Sequence, residues 1–511
     1  MPTTGSTSNP LSEPRPAAAK ERHWVLLLCG LAAAHVFVFS AAFPFFNVVD
    51  EAVHFDLVVR YSHAGVPRAF THLSAEAVPF LTVFHTVEYY HSPDEFPGHQ
   101  IPAPPWTLPP EVARKGMAER ADQWSHGVIN YECSQPPLYY AVAGWWWRCG
   151  KLLRLDGGAL LYWLRFLNLL VMAAVVWLAY VAARMLFPEN RFIRLAAPAL
   201  VAFMPQTAFY SITNDVFSPL AFGAAFVLLL KLWASECTDR RLAAATGLAL
   251  AAAFLAKICN LPLLAVAGVA LALKTVQLAR CGKLRPAAPA LGMLVACAAL
   301  PMAAWMAWCK IHFGDLTGSA QKVQIVGWTN KPFLAWFHHP IFTPHGFWIF
   351  VSQNLATLWQ GEFLWHNQPL PRPGVGLVYA GLTLLFLLAA LVALIRQPGR
   401  FSRLPWIVLW FNFACLAAFF LFAALLSVKY DFDDCLYPSR AHPFFTSGRL
   451  MLGALVPFLL LFAFGMDCLL KRLGEAAKFL LLTALLIFML ASEIATDWLI
   501  FPNAYNWFHL Q

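Results

Sequence analysis

The sequence predicts an all-α polytopic membrane protein, a fold class indicated by its composition and by its long apolar runs. Of the 511 residues, 59% are hydrophobic and only 12% are charged, whereas soluble domains usually carry about 25% charged residues. Several apolar runs reach about 20 residues, enough to cross a hydrocarbon core of about 30 Å as helices that satisfy their own backbone hydrogen bonds. An outer-membrane barrel would instead show alternating segments of about 10 residues. We expect about 11 transmembrane helices and a large first extracytoplasmic loop.

The chain divides into a short leader, 1–23, and one transmembrane domain, 24–511. The leader is rich in Pro, Ser, Thr and Ala, a composition typical of disorder. A secretory signal is the competing interpretation of the first apolar run, which is longer than a usual signal core. The expected spans are 24–46, 161–183, 195–212, 216–234, 242–257, 260–278, 287–309, 374–395, 405–427, 450–470 and 477–498.

Basic residues in the short connectors set the predicted orientation. They lie on one side if the N-terminus is cytoplasmic, as the positive-inside rule requires. This distribution also accounts for the net charge of +9 without a nucleic-acid partner. The connectors carry Arg184, Arg191 and Arg194; Arg240 and Arg241; Lys274, Arg280, Lys283 and Arg285; Arg396, Arg400 and Arg403; and Lys471, Arg472 and Lys478.

Three long segments then lie outside: 47–160, 310–373 and 428–449. They hold nearly all of the unusual polar chemistry, while the cytoplasmic side has only short loops and no Walker A sequence. Most cysteines fall inside spans, but Cys133 and Cys435 are in external segments, where a disulfide between them is one option in an oxidising compartment. A short interfacial helix is expected at 136–147, whose three consecutive tryptophans suit a membrane boundary.

The sharpest cluster of candidate residues is Asn47-Val-Val-Asp50-Glu51-Ala-Val-His54, directly after the first span. On a helix, Asp50 and His54 share one face at spacing i, i+4. A carboxylate at the membrane surface can act as a general base or hold a divalent cation. The simpler alternative is a solvated acid at the start of a loop.

Weaker signals occur at three further places on the same predicted face. The string Tyr131-Glu132-Cys-Ser-Gln-Pro136-Pro-Leu-Tyr-Tyr begins a helix. Asp215 lies between two spans, where it is either a site residue or an N-cap. Arg449 stands at the mouth of the tenth span, where it either binds phosphate oxygens or extends to the interface as a surface arginine.

Taken in order, these strings resemble the GT-C superfamily of polytopic glycosyltransferases. They are most similar to a large, uncharacterised bacterial family of membrane proteins with an Asp-Glu-x-x-His motif after the first span and a late Gly-Arg-Tyr. Other matching strings are Phe254-Leu-Ala-Lys257 and Trp359-Gln-Gly-Glu362. This sequence departs from the pattern at Val49 and at Leu450, which replaces the tyrosine after Gly448-Arg449. The second departure weakens Arg449 as phosphate ligand and makes Arg440 a substitute.

The resemblance implies transfer of a sugar from a polyprenyl-phosphate donor to a lipid, glycan or protein acceptor at the extracytoplasmic face of a bacterial inner membrane. By analogy Asp50 is the base, and Glu51 and His54 either orient it or bind a metal. Asp50 and Glu51 are the expected ligands of a divalent cation, Mg²⁺ or Mn²⁺. Arg449 or Arg440, with Asp215, are expected to form the donor-phosphate site.

Two other functions compete with this hypothesis. A transporter or flippase of lipid-linked saccharides shares the many spans, but the halves show no clear repeat and no matching pair of broken helices. A non-catalytic membrane assembly subunit would tolerate replacement of Asp50 and Glu51.

Overall fold

A computed structural model describes residues 16–370, 372–396, 403–433 and 438–506. Helices dominate this part of the chain, and sheet is limited to two pairs of two-residue strands. The α-helices are α1 (Pro16–Ala42), α2 (Glu51–Ser62), α3 (Ala77–Phe84), α4 (Pro110–Asp122), α5 (Leu138–Leu152), α6 (Gly157–Arg165), α7 (Leu167–Leu186), α8 (Arg191–Ala202), α9 (Phe217–Ala234), α10 (Arg240–Ala256), α11 (Leu261–Arg280), α12 (Leu284–Phe313), α13 (Ser319–Ile325), α14 (Pro344–Gln360), α15 (Pro373–Arg396), α16 (Arg403–Lys429), α17 (Leu455–Leu469) and α18 (Glu475–Asp497).

Nine helical segments in the described ranges are long and apolar enough to cross a membrane. The predicted all-α polytopic membrane fold is therefore confirmed, whereas the total of about 11 spans stays a prediction. The nine segments are Lys20–Ala42, Gly157–Leu186, Asn214–Ala234, Ile258–Arg280, Leu284–Phe313, Pro373–Arg396, Arg403–Lys429, Gly448–Leu469 and Glu475–Asp497.

The other two expected spans form shorter helices. The segment 195–212 begins inside α8, a helix of 12 residues that ends at Ala202, and continues into a 3₁₀ turn at Thr207–Tyr210. Pro205 accounts for this break, because a proline disfavours helical backbone in the residue before it. The segment 242–257 contains α10, with 17 residues, after which Lys257 adopts extended backbone.

The first helix begins earlier and ends earlier than expected. Helix α1 starts at Pro16, so 16–23 of the predicted leader are helical, and 1–15 lie outside the described residues. It ends at Ala42, and the chain then turns through Phe46, which has a positive φ of 60°. The residues before Asp50 therefore form a turn rather than the last part of a span.

Close helix packing depends on glycines at two crossings. A Cβ on Gly247 of α10 would lie 2.3 Å from the carbonyl oxygen of Leu294 on α12. On α17, a Cβ at Gly465 would lie closer still to the carbonyl oxygen of Phe386 on α15. Only glycine permits these backbone approaches. Helix α17 is the most enclosed of the nine segments and forms the centre of the bundle.

Ion pairs bring several of the basic connectors together at the end of the bundle away from the long loops. Arg194, in the first turn of α8, pairs with Glu21 near the start of α1. Asp467 at the end of α17 pairs with Lys478 on α18 and accepts a hydrogen bond from Asn190. These contacts place three connectors on one face, as the predicted topology requires; the cytoplasmic assignment of that face stays a prediction.

The long segments cover the opposite end with short elements. Helices α2–α5 lie in the first loop, and a helix is present where one was expected at 136–147, namely α5 (Leu138–Leu152), whose position at the membrane interface stays a prediction. Strand β1 (Thr329–Asn330) pairs antiparallel with β4 (Tyr430–Asp431), and β2 (Leu364–Trp365) pairs with β3 (Gln368–Pro369). Whether Cys133 and Cys435 form a disulfide stays open, because Cys435 lies outside the described residues.

Candidate functional site

Arg449 stands at the centre of a buried ionic cluster at the loop-covered end of the bundle. Its Nη2 donates to Asp50 at 2.9 Å, its Nη1 to Asp215 at 2.9 Å, and its Nε to Glu362 at 3.1 Å. The three carboxylates come from three distant parts of the sequence. One guanidinium therefore joins the first loop, the turn before α9 and the segment after α14.

Asp50 owes its position to an unusual backbone conformation. It precedes α2 with φ 66° and ψ 2°, in the left-handed region, and its side chain makes no cap to the helix. Aspartate tolerates this region better than most residues. The carboxylate accepts from the Tyr131 hydroxyl at 2.7 Å as well as from Arg449. Burial has the largest single effect and favours the neutral acid, but the Arg449 charge, together with smaller contributions from His54, Lys322 and Tyr131, holds the pKa of Asp50 well below its ordinary value.

Asp215 lies in a 3₁₀ turn, Asn214–Val216, and is not the N-cap of α9. Its Oδ2 accepts from Arg449 and from the Thr213 hydroxyl, while its Oδ1 pairs with the Lys257 ammonium. Lys257 reaches Asp215 because α10 ends one residue earlier. The carboxylate is completely buried, so these two cations compensate for its lost hydration.

Two tightly packed glycines fix the backbone directly before Arg449 and Glu362. Gly448, directly before Arg449, would place a Cβ 2.2 Å from the backbone nitrogen of Leu358 on α14. Gly361, directly before Glu362, has φ 79°, and its Cβ would overlap Thr207. Burial raises the pKa of Glu362 despite the opposing effect of Arg449.

A second ion pair lies beside Asp50. Lys322 of α13 donates to Glu132 Oε1 at 2.5 Å, and Gln135 donates to Glu132 Oε2 at 2.6 Å. Burial alone would lower the pKa of Lys322, but Glu132 and Asp50 raise it above its ordinary value. The ammonium also lies 5.6 Å from the centre of the Tyr131 ring.

His54 is buried on α2 and shares a hydrogen bond of 2.7 Å with the Tyr140 hydroxyl through Nδ1. Burial lowers the pKa of His54 to about 4, against the opposing charges of Glu132 and Asp50. The imidazole is therefore neutral at pH 7. The i, i+4 relation to Asp50 does bring the two side chains to one place.

These groups line a cavity of about 1160 Å³. One end is polar and contains Asp50, His54, Glu132, Lys257 and Arg449; the other end lies between α15 and α16 and is apolar. Residues at that apolar end are Pro373, Gly376, Leu377, Phe422, Leu425 and Leu426. Leu377 and Leu425 are 52% and 46% exposed, so the cavity opens at the surface of the bundle between two spans.

Glu51 and Arg440, both predicted as site residues, lie elsewhere. Glu51 is completely buried against Arg165, whose Nη2 donates to both of its oxygens at 2.9 and 3.1 Å. The Ile212 backbone nitrogen also donates to Glu51. Arg440 is exposed and pairs with Asp431 and Asp433. The sequence prediction is corrected at both positions, because adjacency to Asp50 or to the last loop does not fix the direction of a side chain.

The described residues contain one group whose donor atoms suit a metal ion. Asp50, His54 and Glu132 each offer a ligand atom, and these atoms lie within 4.8 Å of one another. Two carboxylates and an imidazole form a donor set that fits Mn²⁺ better than Mg²⁺, which prefers oxygen ligands. Glu132 takes the place that the sequence prediction gave to Glu51. The Lys322 ammonium pairs with Glu132 and would compete with a metal ion for that carboxylate.

Sequence reasoning missed the roles of several residues in this cluster. Lys257 and Glu362 stood inside strings noted only for their resemblance, and Glu132 inside a string interpreted as a helix start. Lys322 carried no signal, because it approaches Glu132 only through the fold of the segment after α12. The order of charged residues along a chain does not reveal which loops meet.

Comparison with known proteins places the chain in a family. Residues 34–430 match the family described as predicted membrane protein (DUF2142). The chain belongs to this family. The DUF2142 match includes Asp50, Glu132, Asp215 and Lys322, whereas Arg449 lies beyond its end. The curated proteins gave no match.

The chain is also similar to a solved structure, the apo oligosaccharyltransferase of Archaeoglobus fulgidus. The sequence identity is 12% and the TM-score 0.41. The alignment covers 95% of this chain and 56% of that one, so this DUF2142 protein spans just over half the length of the archaeal chain.

Proposed function

We propose that the protein is a membrane glycosyltransferase that moves a sugar from a polyprenyl-phosphate donor to an acceptor at the extracytoplasmic face. One observation carries the proposal: a single cavity joins a buried cluster of carboxylates and cations to an opening between two membrane spans. A lipid-linked sugar needs both an apolar route for its chain and a charged site for its reacting group. The resemblance of the sequence motifs to the GT-C superfamily supports the same assignment.

The proposed reaction is a single displacement. A hydroxyl or amide of the acceptor attacks the anomeric carbon of the sugar, and a new bond to that carbon forms. The bond between the anomeric carbon and the phosphate oxygen breaks, and the phosphate keeps the electron pair. The acceptor proton passes to the Asp50 carboxylate. Because there is one displacement, the anomeric configuration inverts.

Asp50 suits the role of proton acceptor because it is ionised at neutral pH. Its low pKa makes it a weak base, so the proton moves late, once bond formation to the sugar has acidified the acceptor. A positioned base contributes about 10²–10⁴-fold to such a reaction. Tyr131 and Arg449 fix the carboxylate with two hydrogen bonds.

Asp215 and Glu362 act on Arg449 rather than on the substrate. They hold its guanidinium between them, so that the Asp50 carboxylate stays oriented toward the cavity. A divalent cation bound by Asp50, His54 and Glu132 would supply Lewis-acid stabilisation of charge that develops in the transition state. The Tyr140 hydroxyl keeps the neutral imidazole of His54 in place through a hydrogen bond to Nδ1.

Transfer from radiolabelled polyprenyl-phosphate sugars in reconstituted membranes tests the proposal. The native chain should transfer label to endogenous or added acceptors, and Asp50→Asn should lose this activity. Asp94→Asn is the matched control, since Asp94 is exposed in the same loop and lies outside the cavity lining.

Each outcome has a distinct meaning. Equal transfer by Asp50→Asn and the native chain removes Asp50 as the base. Movement of the labelled lipid between leaflets without transfer supports the flippase alternative. Absence of both activities across a broad donor panel supports the non-catalytic alternative.

A further inference from the structure

Five cationic side chains line the cavity, but they differ in how many carboxylates they already pair with. Three belong to the ionic cluster, and two lie near the opening between α15 and α16. The five are Lys257, Lys322, Arg372, Lys429 and Arg449. An anionic ligand that enters between the spans would meet these cations in turn, so their availability decides which one can bind it.

Arg449 is poorly placed to bind a phosphate, although two of its five N–H donors are left over. Each of its three nitrogens donates to a different carboxylate, and its side chain is only 12% exposed. A phosphate would have to displace a carboxylate or face three negative groups. Lys257 is less available still, because its side chain is 4% exposed and its ammonium pairs with Asp215.

Lys322 differs from both. Its side chain is 29% exposed, and among the described residues its ammonium pairs with one carboxylate, Glu132. An ammonium has three N–H donors, so two are left for a ligand in the cavity. One helical face of α13 points to this space, since Ser319, Lys322 and Val323 all line it.

The local fold holds α13 in this position. The Asp315 carboxylate accepts from the backbone of Thr317 and Ala320 and so closes the turn before the helix. Gly318 follows with φ 67°, and a Cβ there would lie 2.3 Å from the Cβ of Ser134. This close approach docks the start of α13 on the first loop, beside Glu132.

We propose that Lys322 binds the phosphate of the lipid-linked donor, and that Arg449 instead organises the carboxylates. This inference rests on the proposed function for the identity of the ligand. Lys429 and Arg372 support the anionic character of that ligand. Lys429 ends α16, and Arg372 directly precedes α15, so the opening has a cation on each side. Lys322 pairs with Glu132, whose carboxylate lies within 4.8 Å of a ligand atom of Asp50, so a phosphate on Lys322 would be close to the proposed base.

Binding, measured without sugar or acceptor, tests the inference separately from transfer. The full chain in detergent would be titrated with a long-chain polyprenyl monophosphate, with the corresponding polyprenol, and with inorganic phosphate, and each complex quantified by native mass spectrometry. Lys322→Gln should weaken binding of the lipid phosphate about tenfold or more. Lys322→Arg should stay within about threefold of the native chain. Binding of the uncharged polyprenol should be unchanged in both variants.

Lys115→Gln is the matched control, because Lys115 is exposed on α4 and outside the cavity lining. Equal affinity of the native chain and Lys322→Gln for the lipid phosphate would overturn the inference, whether or not transfer occurs. Inorganic phosphate that binds as tightly as the lipid phosphate would overturn the lipid assignment. Loss of transfer in Asp50→Asn with retained binding would leave the role of Lys322 intact.

Discussion

Asp50 and Glu51 are adjacent in the sequence, but their carboxylates pair with different arginines. Asp50 turns toward Arg449 and the cavity, whereas Glu51 turns into the bundle toward Arg165. The two side chains point in different directions because the backbone changes conformation between the two residues. Asp50 is left-handed, whereas Glu51 is the first residue of α2. Two residues that look like one acidic pair therefore belong to different parts of the structure: Asp50 to the candidate site and Glu51 to the core.

Asp50→Asn should abolish transfer without unfolding the protein. Asparagine also tolerates the left-handed conformation, and Arg449 keeps Asp215 and Glu362 as partners. We expect transfer to fall about 10²–10⁴-fold, with a thermal unfolding midpoint within about 2 °C of the native chain. A large fall of the midpoint would show that Asp50 is structural.

Glu51→Gln should have the opposite effect. It leaves the buried guanidinium of Arg165 without its countercharge, and breaking a buried pair typically costs about 3–5 kcal/mol. Arg165 also donates to the carbonyls of Ser40, Phe43 and Pro44, so the end of α1 should loosen. Thermal unfolding in detergent, compared with Glu119→Gln at an exposed position of α4, measures this. Native-like stability with lost transfer would restore Glu51 to the site.

Gly448→Ala should inactivate the protein by moving Arg449. The added Cβ would lie 2.2 Å from the Leu358 nitrogen and 2.3 Å from the Asn354 carbonyl oxygen. Both are helix backbone atoms, which cannot give way without shifting α14. We expect a loss of about 1–3 kcal/mol in stability together with loss of transfer. Gly381→Ala on α15 is the control, because nothing lies within 4 Å of its Cβ; similar losses in both variants would refute a specific role for Gly448.

The sequence indicated nine of the expected spans in the described part of the chain, because long apolar runs are local signals. It also placed Asp50, Asp215 and Arg449 in one hypothesis through their order. It did not identify Arg165 as the partner of Glu51, since an arginine at the end of α6 resembles any interfacial arginine. Nor did it find Lys322, because only tertiary contacts bring α13 to Glu132. Long-range pairing of charges was the information that the sequence lacked.

Stability should fall on mild acidification because of His54. Its pKa is lowered to about 4 in the folded protein, against about 6.5 in an unfolded chain. Between these values the unfolded state binds the extra proton, so the contribution of His54 lowers stability as the pH falls from about 6.5 toward about 4, by up to about 3 kcal/mol. Unfolding midpoints measured from pH 7.5 to 4.5 should show a shallower fall in His54→Gln than in the exposed control His99→Gln. Parallel curves for the two variants would contradict the prediction.

The affinity for Mn²⁺ should fall when Glu132 is replaced and rise when Lys322 is replaced. Glu132→Gln removes one of the three proposed ligands, so we expect weaker Mn²⁺ binding in titrations followed by electron paramagnetic resonance. Lys322→Gln removes a competing positive charge and frees Glu132, so Mn²⁺ should bind more tightly. The same variant should bind the lipid phosphate less tightly. An Mn²⁺ affinity that is the same in both variants and the native chain would show that the cation binds elsewhere.

Arg449 and Arg440 should differ sharply when each is replaced by lysine. Lysine keeps the charge but loses the planar fork, and at position 449 one ammonium cannot hold Asp50, Asp215 and Glu362 in the observed geometry. We expect Arg449→Lys to remain folded, because the buried charge is kept, and to lose at least about 100-fold in transfer. Arg440→Lys should change transfer less than about twofold, since exposed ion pairs contribute little. Transfer assays on both variants at matched expression decide the point, and a larger loss in Arg440→Lys would return the donor site to the last loop.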